Sequence, residues 1–291
     1  MTAKDLTGKT VLVTGANTGL GFEMAATLAS RGAHVTLAGR SMDKLEQALT
    51  RIRSATPDAK IAAQVVDLND LSSVREFAAL FAQTHETLDI LVNNAGVMVP
   101  PAGTTADGFE TQFGVNFVAH FALTGHLFGL LAAAPSARVV TMSSIGHRGA
   151  AIDFDNFRLE KPYDQWREYG QSKLADLMFA LEFDRRLRAI NSPVLSLAAH
   201  PGVSKTELTR NLGATPPGMT FMTPAEGVAP ALVAATAPQV EGGQYWGPDG
   251  PGERDGKPGL AVADAPALND EVAARLWTWA EAATGVPFPS A

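Results

Sequence analysis

The sequence predicts an α/β protein: a doubly wound parallel sheet with helices on both faces, built as a single domain. Three observations point there. Strand-like and helix-like patterns alternate with short connections through the first two-thirds of the chain. The first strand pattern runs straight into a glycine-rich turn and a helix. The chain has 291 residues, 46% of them hydrophobic, enough to bury one large core, and no repeat or second domain is apparent.

The elements follow in order. Thr10-Val11-Leu12-Val13-Thr14 is short, apolar and β-branched, so it reads as a buried strand. Further strands are expected near 33–38, 60–66, 88–92, 137–143, 193–199 and 243–246, with helices between them. The regular pattern breaks after Thr206. Asn211 to Gly218 reads as loop, and a helix is expected from about Thr223-Pro224-Ala225-Glu226. The stretch 207–222 carries Leu208, Leu212, Met219, Phe221 and Met222 among its glycines and prolines, which suggests a substrate lid. Leu260 to Pro266 is weakly patterned. Asn269-Asp270-Glu271 opens a terminal helix expected over 269–284, whose Leu276, Trp277 and Trp279 suit a core or a subunit contact of a homo-oligomer.

Charge and composition narrow the function. A net charge of −7 argues against a nucleic-acid partner. The chain has no cysteine, which excludes disulfides and thiolate metal sites, and its six histidines lack the spacing of a metal helix, so no metal is expected. Neither a signal-like start nor an apolar run of about twenty residues is evident, so the expectation is a cytoplasmic protein without a membrane span.

After the first strand come Gly15, Ala16, Asn17, Thr18, Gly19, Leu20 and Gly21, then a helix pattern. The Gly-x-x-x-Gly-x-Gly spacing lets the chain turn sharply and brings backbone N–H groups and a helix N-terminus to a pyrophosphate, so this is a dinucleotide site. The second strand ends at Gly39-Arg40-Ser41, where the adenosine ribose is read. An acidic residue there would repel a 2′-phosphate, whereas Arg40 can hold one by a forked contact. NADP(H) is therefore favoured, with NAD(H) the alternative. Tyr169 and Lys173 stand four apart in a helix-compatible stretch, so a cation can lower the pKa of a phenol on the same face.

Together these motifs resemble the short-chain dehydrogenase/reductase family over nearly the whole chain: Thr14 to Gly21, Asp67-Leu68, Asn93-Asn94-Ala95-Gly96, Asn116, Ser143-Ser144, Tyr169 with Lys173, and Pro201-Gly202. The phrases TGANTGLG, LAGRS, HPGVSKTELTRN and GGQYWGPDG are most similar to its retinol-dehydrogenase-like branch. The resemblance implies a Rossmann-type fold and an oxidoreductase that moves hydride between NADP(H) and a carbonyl or alcohol of an apolar small molecule. It implies that Tyr169 exchanges the proton, Lys173 lowers its pKa and holds the nicotinamide ribose, Ser144 orients the substrate oxygen, and Asn116 holds a water linking Lys173 to solvent. Spacing alone lets Asn116 serve equally as a helix Asn bonded to nearby backbone. Ser143 and Ser144 point to opposite sides of a strand; the family pattern selects the serine before Ile145-Gly146.

For the cofactor, the resemblance implies adenine contact by Asp67 beside Leu68, approach at Asn94, Ala95 and Gly96 with Asn93 as scaffold, and nicotinamide-side contacts at Pro201, Gly202, Val203 and Thr206. Asp67 also reads as a helix cap, a part Asn69 or Asp70 can play. The interval from Ser144 to Tyr169 is longer than in the family's shortest members. Its Phe154, Phe157, Tyr163 and Trp166 suit either a substrate cleft or packing within the loop. His147 and His200 flank the expected site as supporting groups. Reduction of a conjugated double bond, or a catalytically silent redox sensor, are the alternative functions.

Overall fold

Val11, Leu12 and Val13 of β1 (Thr10–Thr14) are fully buried, as a strand covered by helices on both faces must be. Leu12 faces one core cluster and Val11 and Val13 the other. The computed structural model describes residues 5–208 and 221–289. Most of the segment proposed as a lid at 207–222 lies outside the described residues.

Around β1 stand β2 (His34–Gly39), β3 (Lys60–Val65), β4 (Ile90–Asn93), β5 (Arg138–Met142), β6 (Leu195–Ala199), β7 (Tyr245–Pro248) and β8 (Pro258–Leu260). They form one sheet ordered β3-β2-β1-β4-β5-β6-β7-β8, parallel throughout except for the antiparallel β7–β8 pair. The order reverses at β1, where β2 leaves on one side and β4 on the other. That switch point opens the crevice at the strands' carboxyl ends in which a nucleotide binds.

The helices are α1 (Gly19–Ser30), α2 (Met42–Ala55), α3 (Leu71–Thr84), α4 (Thr111–Phe113), α5 (Ala119–His126), α6 (Phe128–Ala133), α7 (Gln165–Ala189), α8 (Pro224–Gly227), α9 (Ala229–Thr236) and α10 (Asp270–Thr284). Side chains fix several starts: Asp70 caps α3, Asp164 caps α7, Asn269 caps α10, and Thr223 with Glu226 forms a capping box on α8. Between α4 and α5 the backbone widens into a π turn, Gly114–Val118.

One feature departs from the sequence reading, and one choice that it left open falls to the core. An eighth strand, not expected from the sequence, ends where the weakly patterned stretch Leu260 to Pro266 begins: Trp246 to Pro248 pairs with Leu260 to Pro258. The aromatics of α10 are core: Trp277 is buried against Phe121, Phe179, Phe183 and Phe288, and Trp279 packs on Phe113 and Phe157. Among the described residues no helix is long and apolar enough to cross a membrane.

Candidate active site

The glycine turn is shaped by close approach. Gly15 and Gly19 have positive φ (64° and 56°), a conformation that favours glycine. A methyl group on Gly15 would lie 2.9 Å from the Ala95 Cα, and one on Gly21 would lie 2.4 Å from the Gly15 carbonyl and 2.5 Å from the Asn94 amide nitrogen. Thr18 at the start of α1 makes no side-chain cap, which leaves the first N–H groups of the helix to an incoming anion. The Thr206 side chain comes within 3.3 Å of where a Gly19 methyl would sit, and Asn17 Oδ1 within the same distance of one on Gly39. Leu20 reaches toward Gly227. Arg40 stands exposed where β2 ends. This cradle of missing Cβ atoms, an uncapped helix end and an exposed cation fits a phosphorylated dinucleotide.

Asn94 turns its amide to the Thr14 carbonyl (2.8 Å), while its own N–H and that of Ala95 donate to Thr14 Oγ1 (both 2.9 Å). Asn93 reaches Thr124 instead (3.0 Å) and is scaffold. The cap of α3 is Asp70; the Asp67 carboxylate accepts only from Asn69 N–H (3.0 Å) among the described contacts, and Leu68 beside it is buried. On the far side of the crevice, Gly202 (φ 61°) sits against the Arg254 carbonyl, which accepts the Val203 N–H at 2.7 Å, and Ser204 closes the turn on the Pro201 carbonyl.

Tyr169 and Lys173 lie on one face of α7 and both are buried. Gly170, between them, lets the helix press on the 145–147 turn, since a methyl there would meet the Gly146 carbonyl at 3.1 Å. A methyl on Gly146 in turn would lie 3.0 Å from the Tyr169 ring and 3.4 Å from Ser144 Oγ, so ring and hydroxyl both border the space that this glycine leaves open. Ser143 points the other way, donating to the Lys173 carbonyl at 2.8 Å. The two serines thus differ in direction, with Ser144 Oγ accepting the Gly146 N–H at 3.0 Å on the side of the 145–147 turn.

Lys173 Nζ donates to the Met142 carbonyl (3.0 Å) and to Asp176 Oδ2 (2.8 Å), and lies 3.8 Å from where a Gly96 methyl would be. Asn116 sits in the π turn and clamps the 97 segment: Oδ1 accepts Val97 N–H (2.8 Å), and Nδ2 donates to the Val97 carbonyl (3.0 Å) and Ser172 Oγ (2.9 Å). Such turns recur at functional sites because they redirect one side chain and free one carbonyl.

Two supporting groups had no distinctive signal in the sequence. His120, fully buried one helical turn after Asn116, donates from Nδ1 to the Asn116 carbonyl (2.7 Å), which can only accept; its Nε2 pairs with Thr14 Oγ1 at 2.9 Å. Burial holds it neutral, with its pKa lowered to about 4. Asp176 is the other. Of the two histidines that flank the site, His147 holds the Ser144 carbonyl (2.6 Å), and His200 accepts the Gly202 N–H (3.2 Å) and pairs with Glu253 (2.9 Å). Burial lowers both of their pKa values.

Of the four aromatics in the 144–169 interval, Phe154 and Phe157 pack with each other, and Phe157 also packs on Phe113 and Trp279. Tyr163 bonds the Pro100 carbonyl (2.7 Å). Trp166 alone of the four meets Tyr169, edge to face at 6.5 Å, and is 54% exposed. Met98 and Val99 are buried against Tyr169, with Leu208 packed beside them, so the phenol opens onto an apolar wall.

This arrangement has relatives. The family model for short chain dehydrogenases matches residues 9–217. Retinol dehydrogenase 13 of Mus musculus is 41% identical over 93% of this chain and 82% of its own length. A crystal structure of an uncharacterized protein from Mycobacterium paratuberculosis superposes with a TM-score of 0.84 at 36% identity, covering 99% of this chain and 98% of that one. A short chain dehydrogenase from Escherichia coli CFT073, complexed with NADPH, has a TM-score of 0.68 at 25% identity, covering 83% and 97%. Sequence, sheet order and relatives agree: the chain is an oxidoreductase of the short-chain dehydrogenase/reductase family, in its retinol-dehydrogenase-like branch.

Proposed function

We propose that this enzyme is an NADP(H)-dependent carbonyl reductase and alcohol dehydrogenase for apolar small molecules. The observation that carries the reading is the meeting of Ser144, Tyr169 and Lys173 beside the glycine cradle, with Met98, Val99, Leu208 and Trp166 around the phenol. A pure binder has no physical need of that trio, which disfavours a silent sensor. The dinucleotide supplies or accepts the hydride when bound. Arg40 would hold its 2′-phosphate, Gly15 to Gly21 its pyrophosphate, Asp67 and Leu68 its adenine, Asn94 to Gly96 with Lys173 its nicotinamide ribose, and Pro201 to Val203 with Thr206 the nicotinamide side. The NADPH-bound relative supports the choice of nucleotide.

Ser144 donates a hydrogen bond to the substrate oxygen and orients it. Tyr169 gives its proton to that oxygen during reduction, or takes one from the alcohol during oxidation, and the adjoining Lys173 cation stabilises the phenolate left behind. Asn116, holding Val97 and Ser172, keeps the floor of the site in register, and its π turn is where a water would connect Lys173 to solvent. A separate cavity of about 460 Å³ at the sheet edge, lined by Arg148, Asp249, Glu253 and Asp264 among others, includes none of these groups and is not assigned to the substrate.

Tyr169→Phe removes one hydroxyl and keeps the ring packing. Single-turnover hydride transfer to an apolar aldehyde is expected to fall roughly a hundredfold or more, while a direct NADPH titration stays near the parent value. Transfer at the unmutated rate in a variant that binds NADPH would overturn the reading.

A further inference from the structure

Lys173 carries a partner that the four-residue catalytic set does not include. Asp176, three residues along α7, is 1% exposed, and its Oδ2 lies 2.8 Å from the Lys173 ammonium. Its Oδ1 is buried without a hydrogen-bond partner among the described residues. A buried carboxylate with half its acceptors unmet is expensive to keep for packing alone, and truncating one partner of such a pair leaves an uncompensated charge on the other.

We propose that Asp176 is a positioning residue for the reaction: its carboxylate is the internal counter-ion that keeps the Lys173 ammonium protonated and seated between the Met142 carbonyl and Gly96. The inference rests on the nucleotide and Tyr169 reading above. Lys173 is itself only 5% exposed, and burial by itself lowers the pKa of a lysine. The Asp176 carboxylate, and after it Tyr169, more than offset that burial, so the net displacement is upward. Burial pushes the Asp176 carboxyl itself well above the ordinary carboxylate range. The titratable groups that act on Lys173 are few. Asp176 and Tyr169 lie on its own helix, His120 faces it from α5 and stays neutral above about pH 4, and β5 presents only the Met142 carbonyl. Removing the carboxylate therefore leaves a buried cation without its main compensation, and Lys173 sheds its proton within the working range.

That consequence is directional and visible in binding. In the parent, the NADPH dissociation constant is expected to stay nearly constant between about pH 8 and about pH 9.5, above the range in which Asp176, pushed up to about 7, takes a proton, because Lys173 remains a cation for the ribose. In Asp176→Asn, affinity is expected to fall by roughly tenfold or more over the same interval as the ammonium is lost. Repeating both titrations in a Tyr169→Phe background removes the phenol as the source of the change. A merely structural role would shift affinity by the same factor at every pH. Parallel pH profiles for parent and variant, whatever their offset, overturn the proposal, as does a parent whose own affinity collapses across the interval. If Asp176→Asn does not fold, Asp176→Ser gives the same readout. A parent that binds no NADPH at any pH fails the nucleotide reading instead, a result told apart from failure of the pair.

Discussion

At the carboxyl end of β1 the chain is held by what is missing: three glycines, each where a methyl would meet another atom within 3.3 Å, let the backbone fold against Ala95 and Asn94. On α7 the opposite holds, and Tyr169, Lys173 and Asp176 are kept in place by neighbouring side chains and carbonyls. The first region is rigid because nothing larger fits. The second is a set of polar contacts whose strength depends on protonation. His120 joins them, with Thr14 at one end of its ring and the Asn116 carbonyl at the other. Steric definition suits a polyanion met by fixed backbone donors, whereas a proton-exchanging group needs neighbours that answer to charge.

Gly21→Ala breaks the first region most directly. The Gly15 carbonyl cannot yield to a methyl 2.4 Å away without opening the turn. A loss of roughly 1–3 kcal/mol in stability is expected from the overpacking, with nucleotide affinity down by roughly a hundredfold or more, measured by urea unfolding and NADPH titration. Unchanged affinity would show that the turn accommodates side chains.

The joint between the regions has its own acid limit. His120 has a folded pKa of about 4 against an ordinary 6.5, so it stabilises the fold fully above about pH 6.5. As pH falls toward about 4 the unfolded chain takes up a proton that the folded one refuses, and about 3 kcal/mol is lost. Unfolding free energies of the parent and of His120→Gln, compared across that window, should converge as pH falls. Curves that run parallel would remove His120 as the acid-sensitive joint.

Arg40→Asp sharpens the comparison at the nucleotide end, exchanging a forked cation contact for repulsion. The ratio of NADPH to NADH efficiency is expected to drop roughly a hundredfold, with turnover on the better nucleotide little altered. The smallest effect belongs to the cleft wall. Trp166→Ala strips an exposed ring from beside Tyr169 and is expected to raise KM for long apolar aldehydes by roughly tenfold, or about 1.5 kcal/mol, with kcat nearly preserved. A fall in kcat with KM unchanged would place Trp166 in the chemistry rather than in binding.

The steric region was the more legible in the sequence. Glycines in a fixed spacing between a strand and a helix announce backbone geometry, and Tyr169 with Lys173 announce a shared helix face by their separation alone. Ser144 was chosen over Ser143 by resemblance, because strand alternation tells the two apart only once the register is known. His120 and Asp176 were not legible as supports, because a buried polar residue reads in sequence like one on a solvated helix face; only tertiary contacts distinguish them. The π turn at 114–118 has no compositional mark. The eighth strand is three residues, two of them Pro258 and Gly259, which weaken a strand signal, and its pairing with β7 is a long-range decision. Phe154 and Phe157 show a choice that pattern reading left open, between cleft and loop packing: Phe157 is buried on Phe113 and the half-buried Phe154 packs on it.

The antiparallel β7–β8 edge and the helix that follows it bear on what counts as a unit of inheritance. The match to the family model ends at 217, yet Trp277 and Phe288 fill the space between Phe121, Phe179 and Phe183, and the Arg254 carbonyl is what the Val203 N–H donates to. A fragment cut at the shared boundary would keep every residue of the catalytic set and still present a bare aromatic face to water. The matched region is therefore not an autonomous folding piece, and the last seventy-odd residues remain bound to it by the need to close one core.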